Sequence, residues 1–316
     1  VDRREALTKA TITTTGVGTG LLSAERGRAF IRALKDRGVL STKLTQDTRT
    51  AATGVVDKMA TGARIIRAAT ENADDGYRVG ATFEQVPYTT KKVRLPWEIT
   101  EDALHENLES GGLESDMLDE MTTQFALDLE DLEINGDSAD ASADAAFLTI
   151  NDGILKLVAT AAQAGRNLNG ATTNSGVFSK AHMFDALFAM PPKYRNQPGN
   201  VWIMSPNRQV QWWEQLTDRT TDAGDALLLG SGGAADKPLG YNILTPPSWP
   251  DSVVFLCNPK NFHRVVSWQI RRRVVTGATD AELAAKDKRF YVFFIKHDVI
   301  VEEFDAVVRT YGLAAV

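Results

Sequence analysis

The sequence predicts an α+β fold, on three observations. From Leu113 to Ile134 the apolar residues recur at helical spacing. Runs rich in β-branched and aromatic residues stand at Tyr77 to Ile99, Ser252 to Cys257, Arg264 to Val275 and Arg289 to Glu302. Helices and strands are interleaved, yet without the regular alternation that builds a parallel α/β sheet.

Composition bounds the rest. With 316 residues the chain is near the size at which one core divides into domains. No apolar run approaches the ~20 residues that span a bilayer, so no membrane partner is expected. The first residues, VDRREALTKA, carry no apolar signal core, and secretion is not indicated. Cys257 is the only cysteine, which excludes an internal disulfide framework and a multi-cysteine metal site. Its setting, VVFLC, reads as a small buried residue, and a reducing compartment fits.

The net charge of −6 hides an asymmetry. Between Val1 and Thr45, Arg3, Arg4, Lys9, Arg26, Arg28, Arg32, Lys35, Arg37 and Lys43 outnumber Asp2, Glu5, Glu25 and Asp36. From Glu98 to Asp144 there is no Lys or Arg, while Asp and Glu recur throughout. Such an acidic block repels itself unless water or a basic surface screens it. The basic N-terminal segment is a candidate partner, from the same chain or from a neighbouring copy.

Along the chain, Thr11 to Gly20 (TITTTGVGTG) offers little to pack and reads as an arm. Ser23 can cap a short helix in which Phe30, Ile31 and Leu34 share a face before Gly38 ends it. YRVGATFEQV and KKVRLPWEI read as the two strands of a long hairpin joined around Pro87 to Thr90. An isolated two-stranded hairpin is marginal in water, so this one is expected to lie on another surface, a second copy being the obvious candidate.

A brief helix spans Ile99 to Glu109, broken by Gly111-Gly112. In the long helix that follows, Met117, Met121, Phe125 and Leu129 step by four, with Leu118 and Leu132 on the same side. The acids are expected mostly on the rest of the cylinder, a rod of roughly 30 Å, and those near Glu133 oppose the helix dipole. Asn135-Gly136 is read as a helix stop with one of the two in the left-handed conformation. Further helices are predicted at Asp152 to Ala164, at Ser179 to Met190 and from the Ser205-Pro206 cap through Leu216. A buried strand is predicted at VWIM, Val201 to Met204, and another at Tyr241 to Leu244. Asp218 to Lys237 is a Gly- and Asp-rich loop, and the last two strands are expected to pair antiparallel.

No catalytic motif survives inspection. Read as a calcium loop, Asp131, Glu133, Asn135 and Gly136 fall at positions one, three, five and six, but Ala139 and Ser142 stand at nine and twelve, where a ligand and a bidentate Glu are required. Gly16 to Gly20 lacks a preceding strand, and Gly230 to Gly233 is not followed by the Lys of a phosphate loop. There is no G-x-S-x-G or H-E-x-x-H. His105, His182, His263 and His297 are scattered, and His297 and Asp298 point to opposite faces of a strand. The pairs Asp119 with Glu120 and Glu130 with Asp131 have no evident apolar pocket to raise a pKa, and a solvated acidic face is expected. Arg271-Arg272-Arg273 could meet phosphates or a neighbour's carboxylates. An acidic chain without an aromatic-basic platform favours subunit contact.

The order of these features carries a resemblance. A basic arm, a long hairpin, a brief helix beginning ITEDAL (Ile99 to Leu104), an acidic helix ending in Asn135-Gly136-Asp137 and then Asp152-Gly153-Ile154-Leu155 resemble the major capsid proteins of tailed bacteriophages. This is the Hong Kong 97-type shell fold, shared with encapsulins. Leu239-Gly240-Tyr241-Asn242-Ile243 and NPKNFHRVVSW (Asn258 to Trp268) are similar to successive strands of its central domain. The resemblance spans roughly Leu22 to Tyr311. Asn242 stands where many relatives carry proline, and Asp305 precedes Ala306 where proline is common. Lys91 and Lys92 match no cross-linking position of the relatives that join subunits by isopeptide bonds.

The resemblance implies an N-terminal arm with a short helix (1–52), an extended loop formed as a β-hairpin (53–99) and a peripheral domain (100–149) with its spine helix at 113–134. An axial α/β domain (150–268) follows, and then the long peripheral strands and C-terminus (269–316). It implies pentamers and hexamers closing into an icosahedral head around double-stranded DNA, assembled in the host bacterial cytoplasm. No cofactor, metal or catalytic residue is expected. Expected partners are copies of the chain, a portal, a scaffold or maturation protease, a possible decoration protein, and DNA through non-specific contact. Candidate subunit contacts are Arg26, Arg28, Arg32, Tyr77, Arg78, Phe83, Lys91, Lys92, Arg94, Glu120, Glu130, Arg271 and Arg273. Two alternatives stand beside this reading: a nanocompartment enclosing a cargo enzyme, and an enzyme with an unfamiliar site.

Overall fold

A computed structural model describes residues 38–60, 66, 68, 76, 78, 80, 82–100, 113–161, 165–172, 174–217, 237–267, 271–275 and 288–314. Its strands, in chain order, are β1 (Thr45–Arg49), β2 (Thr53–Ala60), β3 (Thr82–Thr89), β4 (Lys91–Thr100), β5 (Asn167–Asn169), β6 (Val201–Ile203), β7 (Asn242–Leu244), β8 (Val254–Cys257), β9 (Phe262–Ser267), β10 (Arg271–Val275), β11 (Lys288–Val301) and β12 (Val307–Tyr311). The helices are α1 (Leu113–Asn135), α2 (Ala145–Leu148), α3 (Ile154–Thr160), α4 (Lys180–Ala189), α5 (Pro192–Arg195) and α6 (Pro206–Thr217).

Strand β11, KRFYVFFIKHDVIV, organises the first sheet. Along one edge it pairs antiparallel with β4, from Lys288↔Thr100 to His297↔Lys91. Along the other it pairs first with β10 and then with β9, both antiparallel, and β1 lies parallel on β9. Alternation in β4 turns Val93, Trp97 and Ile99 inward. There they meet Tyr291, Ile295 and the apolar stripe of α1, namely Met117, Leu118, Met121, Phe125, Leu129 and Leu132. Trp97 stacks on its cross-strand neighbour Tyr291 with ring centroids 4.1 Å apart.

The second sheet runs β5-β12-β8-β6-β7. Strand β8 is buried on both faces. Val254 and Leu256 face a core with Trp202, Met183 and Ala186 of α4, and Trp212 and Leu216 of α6. Phe255 and Cys257 face the opposite core, with Ile154 and Val158 of α3. Phe262, Val299 and Val301 of the first sheet enter that second core too, so it joins the two sheets.

Several expectations need correction. The hairpin is not β3 with β4. Strand β3 pairs with β2, Thr53↔Thr89 through Ala60↔Thr82, and β4 leaves to join β11. The two-stranded ribbon therefore lies within 53–89, and Lys91, Lys92 and Arg94 belong to the first sheet. The run from Arg264 to Val275 is two strands, β9 and β10. The sheets also cross the expected division at residue 268, since β9 lies in the first sheet and β12 in the second. Strand β1, expected within the arm, is part of the first sheet. Positive φ occurs at neither Asn135 nor Gly136. Glycine is required at 136 by crowding: a Cβ there would fall 2.3 Å from the Asn151 carbonyl oxygen and 2.6 Å from that of Leu132. The first 37 residues of the predicted arm with its short helix, the brief helix after Ile99 and the loop at 218–236 lie outside the described residues.

The two motifs quoted from either side of the acidic loop dock on each other. Gly153 N–H donates to the Gly136 carbonyl at 2.7 Å, Asp137 pairs with Lys156 at 2.9 Å, and Ser138 N–H donates to Asp152 at 2.8 Å.

Candidate assembly surfaces

Beneath the surface the first sheet and α1 enclose a charge centre. Glu133 of α1 is fully buried, Arg264 of β9 is 4% exposed and His297 of β11 is 1% exposed. Both Nε and an Nη of Arg264 donate to the two oxygens of Glu133, the second at 2.6 Å, a bidentate fork. His297 Nε2 stands 2.8 Å from Glu133 Oε1. Burial by itself would raise the Glu133 pKa. The Arg264 charge and the His297 hydrogen bond outweigh it and hold the carboxyl at about 2. Arg264 also donates to the Ser41 hydroxyl, and Ser41 N–H donates to Glu130 at 3.0 Å. The centre thus fixes the first described segment beside α1.

This corrects two expectations. Glu130 is 2% exposed and spent within its own chain, so it is not a surface contact, and the acids of α1 are not all on a solvated face. A signal was present. Glu133 is four residues past Leu129, on the apolar stripe itself, and Arg264 and His297 interrupt apolar strands at inward positions.

On the opposite face of the first sheet lies the root of the β2–β3 ribbon. Tyr88, Val86 and Val56 pack on Val265 and Ile300. Thr89 N–H donates to Asp298 at 2.7 Å, and Asp298 also receives the Asn151 amide at 2.6 Å. Lys58 Nζ reaches the Glu302 carbonyl at 3.2 Å and pairs with Glu84 and Glu303. Its hydrogen bond to Glu84 holds its pKa above the ordinary lysine value, against the cost of partial burial.

Among the described residues, the other face of the ribbon has no such cover. Register places Val55 opposite Pro87 and Met59 opposite Phe83. Alternation turns these four away from the body, and Met59 and Phe83 are 68% and 72% exposed.

A second surface lies between α1 and β4. There a groove of about 490 Å³ has a floor of Val93, Leu95, Phe125, Leu129 and Phe147, with Lys92, Arg94 and Asp128 among its lining. Lys92 also rests over the Phe294 ring, 4.2 Å from its centroid.

The predicted contact residues are therefore dispersed. Phe83 is on the ribbon, while Lys92 and Arg94 line the groove. Lys91 is exposed at the start of β4, and Glu120 is exposed on α1. Arg78 is exposed between described stretches of the loop. Arg271 and Arg273 pair in register with Phe294 and Val292. Arg26, Arg28, Arg32 and Tyr77 lie outside the described residues.

A long helix laid along a sheet, a ribbon rooted on that sheet's far face and a second five-stranded sheet are arranged in the Hong Kong 97-like fold of phage capsid proteins. The chain is similar to the structure described as "Satellite phage P4 procapsid including size determination (Sid) protein". The TM-score is 0.65 at 15% identity, covering 91% of this chain and 99% of that one. It is also similar to "Capsid of empty GTA particle computed with C5 symmetry", with a TM-score of 0.62 at 15% identity over 88% and 90% of the chains. For "Mycobacterium phage Adephagia" the TM-score is 0.58 at 13% identity over 100% and 98%. Among curated proteins, "Putative prophage capsid protein YqbE" of Bacillus subtilis (strain 168) is 29% identical over 331 residues, 97% of each chain. No protein-family model matches.

Proposed function

We propose that this chain is a major capsid protein whose copies assemble as pentamers and hexamers into the icosahedral head shell around double-stranded phage DNA. One observation carries the reading: the ribbon carries apolar side chains on both faces, and the described chain covers only one set of them. Burying a Phe or Met side chain is worth roughly 1.5–3 kcal/mol. A single ribbon contact is therefore modest, and a closed shell multiplies it over many copies. The root on Val265, Ile300 and Asp298 gives the ribbon a fixed direction in which to present that face. The groove between α1 and β4 offers an apolar seat on a neighbouring copy.

On this reading the role is structural and not catalytic, since the buried titratable groups of the charge centre hold one another. The first partner is another copy. A portal, a scaffold or maturation protease and a decoration protein complete the set, and packaged DNA is met through non-specific contact. Assembly takes place in the host bacterial cytoplasm and the product is the virion head. The test is electron microscopy of the expressed chain, with scaffold and protease supplied. Shells, capsomers or tubes are expected; a stable monomer under every condition overturns the reading.

A further inference from the structure

Among the described residues, strand β4 is paired along one edge only, with β11. Antiparallel pairing sends the main-chain groups of alternate residues toward the partner strand and those of the others away from it. Pro96 tells which are which. A proline has no N–H to give the ladder and sits in a strand with its nitrogen on the open side. Lys92 and Arg94 share its parity. Their N–H and C=O groups, with the Pro96 carbonyl, therefore face the open edge. The groove of about 490 Å³ between α1 and β4 runs along this edge, since Lys92, Val93, Arg94 and Leu95 all line it. On the α1 side its walls include Phe125, Leu129 and Phe147. The other sheet face is cationic there: Lys92 stands opposite Lys296 in register, with Arg94 two residues along. Like charges directly opposite each other cost stability. Among the described residues no carboxylate pairs with any of these three cations.

We propose that this edge is completed by an extended segment of a second copy, added to β4 as a further strand. Main-chain hydrogen bonds to Lys92, Arg94 and Pro96 hold it in the groove. Its side chains alternate in kind: apolar toward Phe125, Leu129 and Phe147, acidic toward Lys92, Arg94 and Lys296. The cations disfavour the other way of closing the edge, because β4 paired with β4 of another copy would crowd both sets together. The contact is therefore heterologous, the kind that propagates around a ring. The source of the strand rests on the shell reading; the slot and the chemistry it selects do not.

The test follows the Lys92 and Arg94 amides by hydrogen exchange, in the unassembled subunit and in shells formed by the chain. They should exchange fast in the subunit and at least about a hundred-fold more slowly in shells. Amides equally fast in shells, or already slow in the subunit because its own chain fills the slot, overturn the proposal. Arg94→Pro removes one N–H from the open edge and, sharing the parity of Pro96, keeps the ladder to β11. Shells should be lost while the circular dichroism of the subunit is unchanged; normal shells overturn the proposal. Should that variant not fold, or the wild type form no shells, a capped peptide of alternating Val and Glu is added to the unassembled wild-type subunit. It should slow the same two amides at least about ten-fold, and a peptide of alternating Val and Lys should not. No protection by the first, or equal protection by both, overturns the slot. Protection in a chain that never forms shells overturns the second copy as the source, together with the shell reading, and leaves the slot standing.

Discussion

Replacing Glu133 by Gln probes the charge centre most directly. In the wild type a carboxyl held at about 2, against an ordinary 4.5, contributes about 3 kcal/mol at about 1.4 kcal/mol per pH unit. The sign follows from the depression. The contribution is complete above 4.5, where the unfolded carboxyl has also ionised, and it is lost as pH falls toward about 2. Glutamine leaves the Arg264 guanidinium buried with one amide oxygen where two carboxylate oxygens stood, and stranding one member of a buried pair costs about 3–5 kcal/mol. Urea unfolding of the unassembled subunit, followed by circular dichroism at several pH values, measures both effects. Near neutrality the variant should be less stable by that amount. The difference should narrow by about 1.4 kcal/mol for each pH unit below about 4.5. A difference that stays constant with pH, or a variant as stable as the wild type near neutrality, would refute the assignment of Glu133 as the ionised hub.

Three further outcomes are expected. Met59→Asp with Phe83→Asp should leave subunit stability within about 0.5 kcal/mol, as befits exposed sites, while abolishing shells by electron microscopy; normal shells would contradict the role of the outer face. Gly136→Ala should lower the unfolding free energy by about 1–3 kcal/mol, because its Cβ meets two backbone carbonyls that cannot swing aside; an unchanged urea midpoint would count against that crowding. Replacing Arg26, Arg28 and Arg32 together by Glu should impair assembly while the subunit still folds, and normal assembly in low salt would contradict an arm-to-acid contact between copies.

Legibility from sequence followed the range of each signal. The helix at 113–135 was readable because Met117, Met121, Phe125 and Leu129 repeat within a few turns. The cap at Ser205-Pro206 and the apolar run ending in Cys257 were local in the same way. Pairing was not local. Strands β3 and β4 are adjacent and both β-rich, yet each prefers a distant partner, β2 and β11. Strand β2, TGVVDKMA, mixes Gly, Asp and Lys with its apolar residues, and its periodicity shows only once both its faces are seen to have work. The charge centre stayed hidden for a related reason. Glu133, Arg264 and His297 are each an ordinary polar residue until the fold brings Arg264 and His297 each within 3 Å of the Glu133 carboxylate.

The period of a β-strand also gives β9 and β11 two separate duties. Arg264 and His297 turn toward α1 and the segment at Ser41, while their sequence neighbours His263 and Asp298 turn toward the ribbon. One pair holds the subunit together; the other holds the element that reaches outward. Adjacent substitutions should therefore separate by phenotype. Arg264→Met strands the Glu133 carboxylate in the core and should cost about 3–5 kcal/mol of subunit stability, visible in the urea midpoint. His263→Gln keeps one of its two hydrogen bonds, and its partner Glu302 is 44% exposed, so its cost should be about 1 kcal/mol or less. Its effect should appear instead in the exchange of the ribbon and in the shells formed. If both variants lowered the urea midpoint equally and left the ribbon alike, the two faces of these strands would not be doing distinct jobs.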